Sequence, residues 1–240
     1  MRTRASSTAR RPGLFASATL AGIGAVGIAL IMMRLAGDGG AAASAPPIAA
    51  SPRTSVTSEP SGACRPTDTG QEVLQAPPSG VTWQLFGGVA LPYSATAGPL
   101  VVEGSGVARC FARSPLGALI ATDQLSARYL LSPDWRTIVR TQVVAGPGRD
   151  AYTAWRSGQR VNAFDTGYAQ VAGFRFITYT PQCAVIEKVM RAGDGSLGVF
   201  DLTVQWEDGD WRLQLQPDGV ANPPGHDVES LDGYVPWSGI

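Results

Sequence analysis

Lysine is almost missing from these 240 residues: there is one, Lys188, and the other eighteen basic side chains are arginines. Histidine is as scarce, with His226 alone, and there are three cysteines, Cys64, Cys110 and Cys183. So few nitrogen and sulfur ligands leave little material for a metal centre, and no zinc spacing is present. The chain also lacks a G-x-S-x-G elbow and a Walker loop. No catalytic, cofactor-binding or metal-ligating set emerges, and the expectation is a protein that performs no chemistry. Charge is sparse too. Charged residues make up 16% of the chain against 44% hydrophobic, and 19 bases balance 19 acids. A neutral chain does not read nucleic-acid backbones by charge, so direct nucleic-acid binding is not expected. An apolar one is not disordered throughout.

Long hydrophobic runs are absent except for Leu14 to Met33, twenty residues without a charge. At 1.5 Å per residue such a run makes about 30 Å of helix, the thickness of a bilayer's hydrocarbon core. Arg2, Arg4, Arg10 and Arg11 precede it and only Arg34 follows closely. The positive-inside rule then predicts a basic cytoplasmic end over 1–13, a transmembrane helix over 14–33, and the rest outside the cell membrane. A cleaved signal peptide would have a shorter run with its small-residue site close behind. Arg10–Arg11 is followed by Pro12–Gly13, a poor fit to twin-arginine export.

Residues 34–80 are rich in Ala, Gly, Ser, Pro and Thr, with few large apolar side chains to offset ordering entropy, and read as a flexible linker. From Val81 the composition becomes that of a folded domain reaching residue 240. Val81–Phe86 and Val89–Leu91, interrupted by Gly87–Gly88, read as extended chain and loop. Ser114-Pro115 and Ser132-Pro133-Asp134 are helix starts, and Gly146-Pro147-Gly148 is a stop. Asp150–Ser157 adds a third, shorter helix.

The pattern then changes to period two. Leu202, Val204 and Trp206 alternate with Thr203 and Gln205, and Asp208–Gly209 is a strong two-residue hairpin signal. Centring the turn there sets Trp206 opposite Trp211, Val204 opposite Leu213 and Leu202 opposite Leu215, six core residues on one face. Tyr168–Thr180 and Cys183–Arg191 read as two more strands. The fold class expected is α+β, about three helices packed on a curved four-stranded antiparallel sheet. Leu231, Tyr234, Val235 and Trp237 give the tail more apolar character than a free end needs. They either pack on their own domain or form a partner-docking segment.

Other candidates weigh less. Asp165, Tyr168, Tyr179 and Glu187 are of the type used in acid–base work, but the sequence does not bring them together. Arg128, Arg136, Arg140, Arg149, Arg156 and Arg160 lie along the helices with acids interleaved, as on a solvated face. Three cysteines outside the membrane allow three pairings. A Cys64–Cys110 bridge would close a loop of about 45 residues, worth about 4 kcal/mol on the chain-entropy model.

The hairpin Trp206–Leu213 and the helices-then-sheet order resemble the cystatin-like cone of nuclear transport factor two and ketosteroid isomerase. More specifically, Val81-Thr82-Trp83, Leu91-Pro92-Tyr93-Ser94 with Gly98-Pro99, Phe111-Ala112-Arg113-Ser114-Pro115, Val143 to Arg149 and Tyr234-Val235-Pro236-Trp237 resemble an uncharacterised actinobacterial family. Its members are single-span envelope proteins carried with conjugative and integrative elements. That resemblance implies the Cys64–Cys110 pairing. Its layout is similar to type IV secretion assembly proteins of the TcpC type. The implied role is a membrane-anchored extracytoplasmic scaffold of a conjugative DNA-transfer apparatus, a homo-oligomer bound to the bilayer through 14–33 and to other transfer proteins. The competing expectations are a small-ligand or cell-wall binding module using the cone's pocket, and an isomerase or hydratase.

Overall fold

The computed structural model describes residues 64–159, 169–221 and 225–239. Three helices and ten strands follow one another there. The first half holds β1 (Val81–Phe86), β2 (Val89–Ser94), β3 (Val101–Val102), β4 (Ala108–Arg109), α1 (Pro115–Leu131), α2 (Trp135–Gln142) and α3 (Pro147–Ser157). The second holds β5 (Gln170–Tyr179), β6 (Cys183–Arg191), β7 (Leu197–Glu207), β8 (Asp210–Gln214), β9 (His226–Val228) and β10 (Val235–Pro236).

The expected fold class needs correction. No helix among the described residues is long and apolar enough to cross a membrane, and the segment 14–33 lies outside those residues. The domain itself is three helices on a large antiparallel sheet of six strands, not four. Its order is β10-β5-β6-β7-β8, with β9 also on β7. The two extra strands are three and two residues long, too short for alternation to announce them.

At the meander's end the chain turns at Asp208 and Gly209, whose φ values are 51° and 83°. A two-residue turn with both centres left-handed matches the twist of the strands it joins. Trp206 therefore pairs with Trp211 and Val204 with Leu213. Val204, Trp211, Leu213 and Leu215 are buried to 2% exposure or less, and Leu202 to 7%. Trp206 is half-buried and packs against the same core, and the guanidinium of Arg113 lies over its ring, 5.4 Å from the centre.

The same turn chemistry occurs where the sequence reading had extended chain and loop. Gly87 and Gly88, at φ 57° and 89°, join β1 to β2 in register from Val81↔Ser94 to Phe86↔Val89. This hairpin lies against α1, where Gln124 Nε2 donates to Pro92 O at 2.7 Å. With the sheet on its other side, α1 is buried almost all round. That explains its run of apolar and small residues without a polar face. Ser114 caps it by accepting from Gly117 N at 3.1 Å, and Pro115 takes the first position. α3 begins at Pro147, a turn earlier than Asp150, since proline is well placed at a helix's first residue.

Residues 64–80, assigned above to the linker, belong to the folded domain. Thr67 N and Asp68 N both donate to Thr96 O. Asp68 Oδ2 accepts from Ser114 Oγ at 2.5 Å, and Leu74 packs on the main core. Cys64 and Cys110 are joined as a disulfide, with Cα atoms 5.2 Å apart, while Cys183 is free and half-buried.

Candidate functional site

Alternation along the strands gives the sheet two faces. The helix-side face carries Phe174, Ala184, Ile186, Leu202, Val204 and Leu213 into the main core. On the far face, Ala172, Val189, Leu197 and Val199 form a second, smaller cluster. The tail covers it. β9 pairs with Leu197–Val199 of β7, and the chain then crosses the far face with Val228, Leu231 and Tyr234 packed on the small cluster. β10 pairs with Gly173–Phe174 of β5, and Trp237 N donates to Ala172 O at 3.0 Å. Of the four residues offered as a docking segment, Leu231, Tyr234 and Val235 are thus half-buried in their own domain. Trp237 is 6% exposed and part of the main core. The tail is a strap on its own domain because its apolar side chains find an uncovered sheet face within reach.

Beneath the end of that strap lies the chain's lone lysine. Lys188 sits on β6 in phase with Ala184 and Ile186, so its side chain enters the core. There Nζ meets Asp123 Oδ2 of α1 at 2.8 Å, with side-chain exposures of 1% and 4%. The indole of Trp237 closes over the ammonium, 4.5 Å from ring centre to Nζ, and stacks tilted on Trp83 at 4.8 Å. Burial pulls the lysine down and pushes the aspartate up, and each charge partly offsets the other's shift. Each group's partner is the other, and the indole covers them. The pair and the ring fill this part of the space between α1 and the sheet. Two surface depressions are open to solvent, one of them of about 460 Å³ beside Pro77, Leu231, Pro236 and Trp237.

The acid–base candidates are scattered. Glu187 faces the other side of β6, where Arg175 holds it at 2.5 Å, and Tyr234's ring lies under the same guanidinium at 4.6 Å. Tyr179, at the end of the strand that carries Arg175, instead donates to Gln71 Oε1 at 3.1 Å. Asp165, Tyr168 and Arg160 lie outside the described residues. His226 is exposed on β9. Among the described residues no group of His, Cys, Asp and Glu could hold a metal ion. Lys188 and Asp123 were not singled out above, although a lysine on the apolar phase of a strand was the available signal.

Asp210 carries another perturbed carboxyl, and it is structural. Its oxygens accept from the backbone N–H groups of Cys110, Phe111 and Trp211 at 2.7, 3.1 and 2.9 Å, fixing β4's exit against the hairpin. Burial outweighs those three donors and pushes the group up to about 6. An unfolded aspartate titrates at about 3.9, so between those values the folded state holds a proton that the unfolded chain has released. Stability contributed here therefore rises as pH falls from about 6 to about 4 and is lost as pH climbs back. Urea midpoints across that window should shift in the wild type, and the shift should shrink in Asp210→Asn, whose side chain does not titrate. An equal shift in both would refute the assignment to Asp210.

Of the helical arginines, Arg136 and Arg140 are exposed and Arg149 partly so, with the exposed acids Asp134 and Asp150 interleaved, as on a solvated face, whereas Arg128 and Arg156 are buried. Among the described residues, Arg136, Arg140, Arg149 and Arg156 form no ion pair. Arg136 and Arg156 both lie over Trp135, at 4.5 and 5.5 Å from its ring centre. Arg156 is 6% exposed, and its Nε has no hydrogen-bond partner.

None of the curated proteins and none of the solved structures matches the chain. Residues 43–236 match the protein family described as "Domain of unknown function (DUF8175)", a stretch that includes the disulfide, the three helices and the sheet. The chain belongs to that family.

Proposed function

We propose that this chain is an extracytoplasmic scaffold, an assembly component that acts through protein–protein contacts and performs no chemistry. The observation that carries the reading is the filled interior: the Lys188–Asp123 pair and Trp237 occupy the space between α1 and the sheet where a binder or enzyme would need a pocket. What such a domain offers to other molecules is its outer surface. The Cys64–Cys110 disulfide favours an oxidising compartment outside the cytoplasm. The ordered motifs from Val81-Thr82-Trp83 to Tyr234-Val235-Pro236-Trp237, similar to envelope proteins carried with conjugative elements, favour a DNA-transfer apparatus of the type IV secretion kind as the assembly. DNA would then be handled by other components.

In-cell crosslinking of the full chain followed by mass spectrometry tests this. Recovery of the chain with itself and with the ATPases and membrane proteins of a transfer channel is the expected result. Recovery of a lone monomer would overturn the scaffold reading.

A further inference from the structure

The helical layer and the tail lie on opposite faces of the sheet and carry opposite charge. On α2, Arg136 and Arg140 stand four residues apart, hence on one stripe, and both are exposed. On α3, Arg149, Thr153 and Ser157 form another stripe by the same spacing, linked by hydroxyl hydrogen bonds from Thr153 to Arg149 O and from Ser157 to Thr153 O. Arg136 donates to Ser157 Oγ at 3.3 Å, which lays the two stripes side by side. Arg136, Arg140 and Arg149 therefore form one basic strip, with Arg156 buried at its edge. Like charges four apart on a helix repel, and no acid among the described residues pairs with any of these four. Such a strip weakens its own helices and fits an external anion.

Across the sheet the strap presents the complement. Asp227, Glu229 and Asp232 are all exposed, and none of them forms an ion pair among the described residues. They cluster within six consecutive residues of a segment fixed at both ends, by β9 on β7 and by β10 on β5. Three carboxylates without an ion pair on the strap match the arginines without one on the helices, where the exposed acids Asp134 and Asp150 stand nearby in sequence but pair with none of them.

We propose that copies of this chain associate head to tail, the arginine strip of α2 and α3 in one copy seating on the acidic strap of the next. The inference deepens the scaffold reading by naming one partner, a second copy, and the two surfaces that meet. Guanidinium groups bind carboxylates through paired, charge-assisted hydrogen bonds. Two different surfaces in contact make the interface heterologous, so the product is a ring if the rotation closes and a filament if it does not.

Sedimentation velocity of the full chain at low ionic strength tests it, with two charge-reversed variants. One carries Arg136→Glu, Arg140→Glu and Arg149→Glu; the other carries Asp227→Lys, Glu229→Lys and Asp232→Lys. The wild type should self-associate and dissociate as salt screens the contact. Each variant alone, with two faces of one sign, should associate at least about tenfold more weakly. An equimolar mixture should recover assembly, because the acidified helices of one variant now face the basic strap of the other. Recovery in the mixture also shows that both variants are folded. Should reversal unfold either, the neutral set Asp227→Asn, Glu229→Gln and Asp232→Asn should still weaken association with thermal stability retained. Wild-type association in either reversed variant alone, or no recovery in the mixture of folded variants, would overturn the head-to-tail contact. Such a failure leaves intact the crosslinks to other proteins on which the scaffold reading depends.

Discussion

Replacing Lys188 with methionine is expected to destabilise the domain by about 3–5 kcal/mol, the usual consequence of removing one partner from a buried ion pair. Methionine fills much of the lysine's volume, so the loss is electrostatic rather than a cavity. Asp123, 4% exposed, would be left without its ion-pair partner and would have to take up a proton or draw in water. Removing both charges should behave differently. Lys188→Met with Asp123→Leu replaces the pair by apolar side chains of similar size, which is often neutral or stabilising. The double variant should therefore recover most of the loss, to within about 1 kcal/mol of wild type or better. Urea unfolding of the two single variants and the double variant gives the coupling directly. A single substitution costing less than about 1 kcal/mol would mean that the pair is solvated rather than sealed.

Trp237→Ala is expected to cost about 3–5 kcal/mol, as truncations of large aromatic side chains in cores do. The indole packs on Trp83 and, edge to face at 5.6 Å, on Phe174, and it covers the Lys188 ammonium. Its loss opens a void and admits water to the ion pair together. The effect should also spread along the strap. The Trp237 amide bonded to Ala172 O and the β10–β5 pairing should lose hydrogen-exchange protection, while the β6–β7 pairing retains more of its own. Trp237→Phe should restore part of the stability. Wild-type stability in Trp237→Ala would show that the strap's end is not part of the core.

Lys188 and Trp237 also mark where the sequence stopped being legible. Local chemistry was readable: Asp208–Gly209 announced a turn, the turn set a register, and the register set which side chains are buried. Ser114-Pro115 announced α1 for the same reason, since a cap and a first-turn proline act within four residues. Gly87–Gly88 carried the same hairpin signal, yet the run before it, Val81-Thr82-Trp83-Gln84-Leu85-Phe86, alternates weakly because β1 belongs to a two-stranded layer with Leu85 exposed. The tail strands were hidden by brevity. The pairing of Lys188 with Asp123, 65 residues away, is a fact of topology, and no window along the chain contains it. What a lysine among Ala184, Ile186 and Val189 did announce was that some distant acid must meet it.

The bond between Cys64 and Cys110 has a mechanical consequence. Tension applied to the chain upstream of Cys64 does not run through the next 45 residues; it passes across two sulfur atoms into Cys110. The β1–β2 hairpin and the short β3–β4 pair lie inside the closed loop and are thereby excused from bearing load. Force instead arrives where Cys110 N and Phe111 N are gripped by Asp210 on β8. From there it is shared by the largest sheet of the molecule. A protein held by its N-terminal side would feel each pull first at that carboxylate, and reduction of the bridge would turn the same stretch from a fixed collar into slack.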